Sequence, residues 1–185
     1  MYAEYGRCGS AAKFGFIMVQ APLTLDASVI LDMHSVNSLD RLLAVDREFL
    51  TTDFVFNTIR NSISHSSFVK LEKSQKLKIQ SMNKNIEFFF EFCSPLRKAL
   101  SIEGCSVLFL AKNLNATLLS SDWNLLSVAK ENGVRSFNLL DVLECMVKRN
   151  LLSRTEAVDN LTTLMDGNRT LRKEECEKKI VRWKN

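Results

Sequence analysis

Proline and glycine are scarce, at 2 and 6 residues in a chain of 185. That argues against long structureless linkers and against a sandwich of many short strands, which needs turn residues every few positions. There is no glycine-rich phosphate loop and no dinucleotide fingerprint. No apolar run approaches the ~18 residues that span a bilayer, so no membrane partner is expected. The cysteines Cys8, Cys93, Cys105, Cys145 and Cys176 are scattered and odd in number, without a Cys-x-x-Cys pair. Neither His34 nor His65 lies at zinc-finger spacing from them. Neither a disulfide framework nor a structural zinc is therefore expected, and small buried thiols in a reducing cytoplasm fit best. Charge of neither sign dominates: the net charge of +4 permits a nucleic-acid partner without demanding one.

What is present is an ordinary globular composition, 46% apolar and 25% charged, with 12 phenylalanines to fill a core. Residues 1–20 read as a poorly ordered extension, with Met18 a plausible alternative start. The apolar Phe14–Val19 follows Arg7 and Lys13 but lacks a convincing signal-peptide cleavage site. The main domain is expected over residues 21–165, with residues 166–185 forming a C-terminal helix packed on it.

Along the chain, Leu23-Thr-Leu-Asp26 reads as a strand with Asp26 at its end, followed by a helical pattern from Ser28 through Val45. Phe49–Thr52 reads as a second strand, with Asp53 as the N-cap of a helix to about Ile63. Residues 64–82, rich in Ser and Lys, show no clean period and read as an exposed strand and loop. Asn85–Cys93 is helical and ends before Pro95. Ser101 caps a helix from Ile102 to Leu114, with Val107, Leu108, Leu110, Ala111 and Leu114 as its apolar face. Ala116–Ser120 is a third strand, with Asp122 just beyond it. A helix over Trp123–Asn132 closes at Gly133, and Val134–Phe137 forms a fourth strand. Helices follow over 139–149, 153–165 and 171–184. Alternating strands and helices predict βαβ units and a largely parallel sheet covered on both faces.

Parallel sheets place their sites beyond the carboxyl ends of the strands, where Asp26 and Asp122 both fall. A hard cation takes oxygen ligands from one or two such carboxylates and keeps several waters. The plainer role for an Asp after a strand is N-cap of the next helix.

The segment Leu23-Thr-Leu-Asp-Ala-Ser-Val-Ile-Leu-Asp32 resembles the opening strand of PIN domains, whose first catalytic Asp matches Asp26. Phe49–Ile59 is similar to the family's second strand and helix, Leu100–Lys112 to the helix bearing its third acid, and Asn115–Asp122 to the strand ending in its fourth. The likeness covers about residues 22–165 and is most specific over 100–134. It implies a three-layer α/β/α sandwich with a central, mainly parallel sheet, and a crevice holding Mg²⁺ or Mn²⁺. It also implies a metal-dependent endoribonuclease, with RNA as partner and, for toxin members of toxin–antitoxin pairs, a cognate antitoxin. A homodimer is a further expectation. In that scheme Asp26, Asp122 and Glu103 are the catalytic and metal-ligating residues. The chain departs from the pattern at the second acidic position, which falls on Thr58 or its neighbour Asn57, and at the third, which falls on Gly104. Glu103 is adjacent but points ~100° away on a regular helix. A PIN-fold module that has lost catalysis and binds RNA or a protein is the alternative.

Other residues carry weaker readings. His34 and His65 match no catalytic position. Ser106 and Ser121 suit hydrogen bonds to an acid or a phosphate at the crevice. Lys70, Lys73, Lys76, Lys78 and Lys84 form one basic stretch. Arg169, Arg172, Lys173, Lys178, Lys179, Arg182 and Lys184 form another, in which the interleaved glutamates point to a solvated helix face. Trp123 and Trp183 suit either base stacking or core packing.

Overall fold

The computed structural model describes residues 21–167 and 171–185. The expected extension over residues 1–20, with Cys8, lies outside the described residues, as does Arg169. The described chain forms β1 (Leu23–Leu25), α1 (Ala27–Ser35), α2 (Leu39–Leu42), β2 (Phe49–Thr52), α3 (Asp53–Ser62), α4 (His65–Lys73) and β3 (Leu77–Gln80). It continues with α5 (Ile86–Cys93), α6 (Ile102–Asn113), β4 (Thr117–Leu119), α7 (Trp123–Glu131), β5 (Ser136–Phe137), α8 (Leu139–Lys148), α9 (Arg154–Gly167) and α10 (Lys173–Lys184). Short 3-10 turns flank α5, and Pro95 stands in the second of them.

The five strands pair in parallel in the order β3-β2-β1-β4-β5, the centre of a three-layer α/β/α fold. β1, β2 and β4 are buried along their whole length, as strands covered on both faces must be. The chain winds outward from β1 through β2 to β3, then returns beside β1 and winds the other way through β4 to β5. The direction of winding therefore reverses between β1 and β4, where an open parallel sheet leaves a crevice.

One helix dominates the packing. From Gly104 to Ala111 every residue of α6 is buried, so it is apolar all round rather than amphipathic. It packs on α3, α5, β1 and β2. Phe89 of α5 joins it through Phe109, with ring centroids 5.8 Å apart, and meets Phe54 of α3 at 5.4 Å.

The low glycine count is reconciled with many helix ends by asparagine. Asn37, Asn115 and Asn150 have φ of 52°, 49° and 57°, each just past a helix; Gln75 and Gly133 do the same after α4 and α7. Asparagine tolerates this left-handed C-terminal position better than other non-glycine residues.

Four expectations need correction. The single helix over 28–45 is two, α1 and α2, interrupted at Asn37. Residues 64–82 contain a helix, α4, capped by Ser64 Oγ, before β3. Leu114 is 46% exposed rather than core. Thr52, not Asp53, is the N-cap of α3, its Oγ1 accepting from Val55 N. No described helix is long and apolar enough to cross a membrane.

Candidate functional site

Asp26 leaves β1 where the strand gives way to α1. Its backbone N–H donates to Leu119 O at 3.0 Å, so the residue is held against β4 as well. Leu25 and Leu119 are register partners, and the aspartates that follow their two strands therefore sit on neighbouring strand ends. Asp26 Oδ2 accepts from Ser28 Oγ at 2.6 Å, Ser120 Oγ at 2.9 Å and Ser28 N at 3.3 Å, which makes it the N-cap of α1. Ser120 Oγ in turn accepts from Asp122 N at 3.0 Å. One hydroxyl thus ties both aspartates together. Asp122 is half-buried and caps α7, its Oδ1 accepting from Asn124 N at 2.8 Å. Ser28 Oγ also accepts from Ser121 N at 2.9 Å, so two strand ends and two helix starts share one hydroxyl network.

Burial pushes the Asp26 carboxyl above its ordinary range, against hydrogen bonds from Ser28, Ser120 and Ala27 that favour the anion. Those neighbours are hydroxyls and backbone amides; no cation is among the groups that shift it. Ser121 Oγ is buried at 1% exposure and has no hydrogen-bond partner among the described residues. An orphaned buried hydroxyl beside two acids marks a spot with unmet hydrogen-bonding capacity.

Glu103 stands differently. It is half-buried in the first turn of α6, and its Oε1 accepts from Thr58 Oγ1 of α3 at 3.3 Å. A side chain at Gly104 would instead meet Leu125 of α7 at 3.8 Å and Ser101 Oγ at 3.7 Å. Position 104 therefore faces the helix capped by Asp122, while Glu103 faces α3. The turn has not shifted to bring Glu103 round, because Ser101 Oγ accepts from Gly104 N and pins a regular helix start. Among the described residues, no three His, Cys, Asp or Glu side chains gather as a group that could hold a metal ion. The expected trio of Asp26, Asp122 and Glu103 is not brought together in this way.

The donor set does not fit the multi-acid Mg²⁺ or Mn²⁺ centre that the resemblance implied. Two of its acids are Thr58 and Gly104, and Asp26 Oδ2 is already occupied by three protein donors. A hard cation would therefore meet Asp26 through its other oxygen, Oδ1, alone.

Of the remaining residues, Ser106 Oγ is spent inside the fold, 2.7 Å from Thr52 Oγ1 and donating to Glu103 O at 2.7 Å. Asp53 reaches across the sheet to accept from Ser81 Oγ at 2.9 Å. His34 is in the last turn of α1, at the other end of the helix from Asp26, and His65 opens α4 on the surface. Trp183 is core, whereas Trp123, next to Asp122, is only half-buried and carries the Arg172 guanidinium 4.0 Å from its ring centroid. The pairing of Trp123 with Arg172 escaped the sequence, since nothing local links residues so far apart.

Comparison with known proteins gives one family. Its model, DUF3368, described as a PIN domain, matches residues 22–185. No curated protein matches the chain. Among solved structures, a PilT N-terminus domain protein from the hyperthermophilic archaeon Sulfolobus solfataricus P2 is similar at 16% identity and a TM-score of 0.42, over 66% of this chain and 90% of that one.

Proposed function

The chain belongs to the PIN-domain family, and from that premise we propose that it is a PIN module that binds RNA without cutting it. The observation that carries this reading is the Thr58–Glu103 hydrogen bond. Where the family pattern has two further acids, this chain has a hydroxyl and a glycine, and the nearest acid, Glu103, shares the Thr58 hydroxyl with Phe54 O, each acceptor at 3.3 Å. Two carboxylates remain, one of them buried among neutral donors. They are fewer than the four acids of the family pattern, so they give less fixed charge to orient the cations that would stabilise a pentavalent phosphate.

RNA is the preferred ligand because the family acts on phosphodiesters and the chain carries a net charge of +4. One observation favours the other reading, a Mg²⁺-dependent endoribonuclease of toxin type: Asp26 and Asp122 do share Ser120. Incubating the full chain with single-stranded RNA and Mg²⁺ or Mn²⁺, beside Asp26→Asn, separates the two. Binding with no metal-dependent cleavage supports the module. Cleavage that disappears in Asp26→Asn supports the nuclease. An antitoxin-like protein partner in place of RNA would show as no RNA binding at all.

A further inference from the structure

One residue past Asp122 the surface opens into a groove of about 500 Å³, which follows α7 to the outer strand β5 and the start of α8. Trp123, Lys130, Arg135, Asp141 and Arg172 line it, three cations against one carboxylate. Asp141 belongs to the capping box of α8, with its own N–H donating to Asn138 Oδ1 at 2.9 Å. Lys130 and Arg135 make no ion pair or side-chain hydrogen bond with any described residue. Arg172 is preset: its guanidinium lies 4.0 Å from the Trp123 ring centroid, with Glu175 only at 3.4 Å. Stacking occupies the face of a guanidinium and leaves its N–H edge free for a bidentate oxyanion. Lys70 of α4 differs, since it already pairs with Asp40 at 2.5 Å.

We propose that this groove is where a single-stranded nucleic acid is held, its phosphates taken by Lys130, Arg135 and the Arg172 guanidinium stacked on Trp123. This rests on the RNA-binding reading above. It places the affinity on the flank of the crevice rather than on its acids. An open groove lined by cations suits a strand passing through, and phosphate contacts fix its path without reading its sequence.

The test is binding of a short labelled single-stranded RNA to the full chain across a salt series, for wild type, Lys130→Ala/Arg135→Ala and Lys73→Ala/Lys76→Ala. Lys73 ends α4 and Lys76 follows it, so the second pair lies well away from the groove along the chain. The groove variant is expected to bind about tenfold more weakly, with its log–log salt slope shallower by about 1.4, or ~0.7 for each phosphate no longer neutralised. The α4 variant should bind like wild type. Equal weakening in both variants, or weakening in the α4 variant alone, would overturn the assignment. Inorganic pyrophosphate titrated by calorimetry separates the groove from the RNA-binding reading. A wild type that takes pyrophosphate in this groove but no RNA contradicts the RNA-binding reading and the strand assignment together. RNA binding that survives the groove substitutions overturns the groove alone. Tighter binding of an oligoglutamate peptide than of RNA of equal charge would overturn it in favour of an acidic protein segment.

Discussion

Asp26 in the crevice and Glu144 beneath the C-terminal helix are both largely withdrawn from solvent, yet their surroundings drive them in opposite directions. Glu144 is met by Lys179 at 2.9 Å, by Lys148 at 3.0 Å and by Trp183 Nε1 at 3.0 Å. Burial alone would raise its pKa, but the lysine and indole hydrogen bonds outweigh that and bring it to about 2. Asp26 is met by hydroxyls and amides, and burial wins. Glu144 is a fastener between α8 and α10. Asp26 has no cation among the groups that shift it, and burial favours its neutral form. In the crevice the second acid, Asp122, is tied to Asp26 only through the Ser120 hydroxyl.

The contrast can be broken most forcefully at Glu144. Glu144→Gln removes the charge that three donors were built around and should cost about 2 kcal/mol. For a chain of this size that is a fall in Tm of roughly 5 °C by calorimetry. Because the folded pKa lies below the ordinary 4.5, the stability from Glu144 is present above that value and fades as pH falls toward about 2. The variant should therefore lose less than wild type on acidification from about pH 5 to about pH 3.

Asp26→Asn should move stability the other way. A folded pKa above the ordinary value means that the stability tied to Asp26 is full when the group is protonated and is lost as pH rises through the folded pKa. The amide oxygen can still accept from Ser28 and Ser120 without the buried charge. Thermal melts at about pH 7.5 should show a gain of about 1 kcal/mol, roughly 3 °C, that vanishes below about pH 4. A loss at that higher pH would mean that Asp26 is a fastener like Glu144.

Smaller effects are expected within the crevice itself. Ser120→Ala should cost about 1 kcal/mol by chemical denaturation, because it frees both the Asp26 carboxylate and the Asp122 N–H. Thr58→Glu with Gly104→Asp restores the missing acids; the new Asp side chain begins 3.8 Å from Leu125, an ordinary contact. That double variant should gain Mn²⁺ binding in the micromolar-to-millimolar range by calorimetry.

The strands that frame the crevice were legible because each has a local signature: Leu23–Leu25 and Thr117–Leu119 are apolar runs buried on both faces, each soon followed by an aspartate. The helix from Ile102 was legible through its Ser101 cap. What escaped was set by contacts between distant residues. Asn37 breaks a continuous helical pattern by adopting a left-handed backbone, and nothing in its neighbours demands that. Asp53 looked like a cap but is drawn to Ser81 and Met82, because β3 lies beside β2 only in the folded sheet. Glu103 was within one residue of the family position, and a single residue on a helix is enough to face it to another neighbour. The helix α4 was hidden because only Phe68 and Leu71 of its side chains are buried.

The proposal that this crevice works without a catalytic metal is tested most directly by titrating Mn²⁺ into the full wild-type chain by calorimetry. The expected result is no saturable heat, while Thr58→Glu/Gly104→Asp under the same conditions binds. Saturable Mn²⁺ binding by the wild type that is abolished in Asp26→Asn would contradict it.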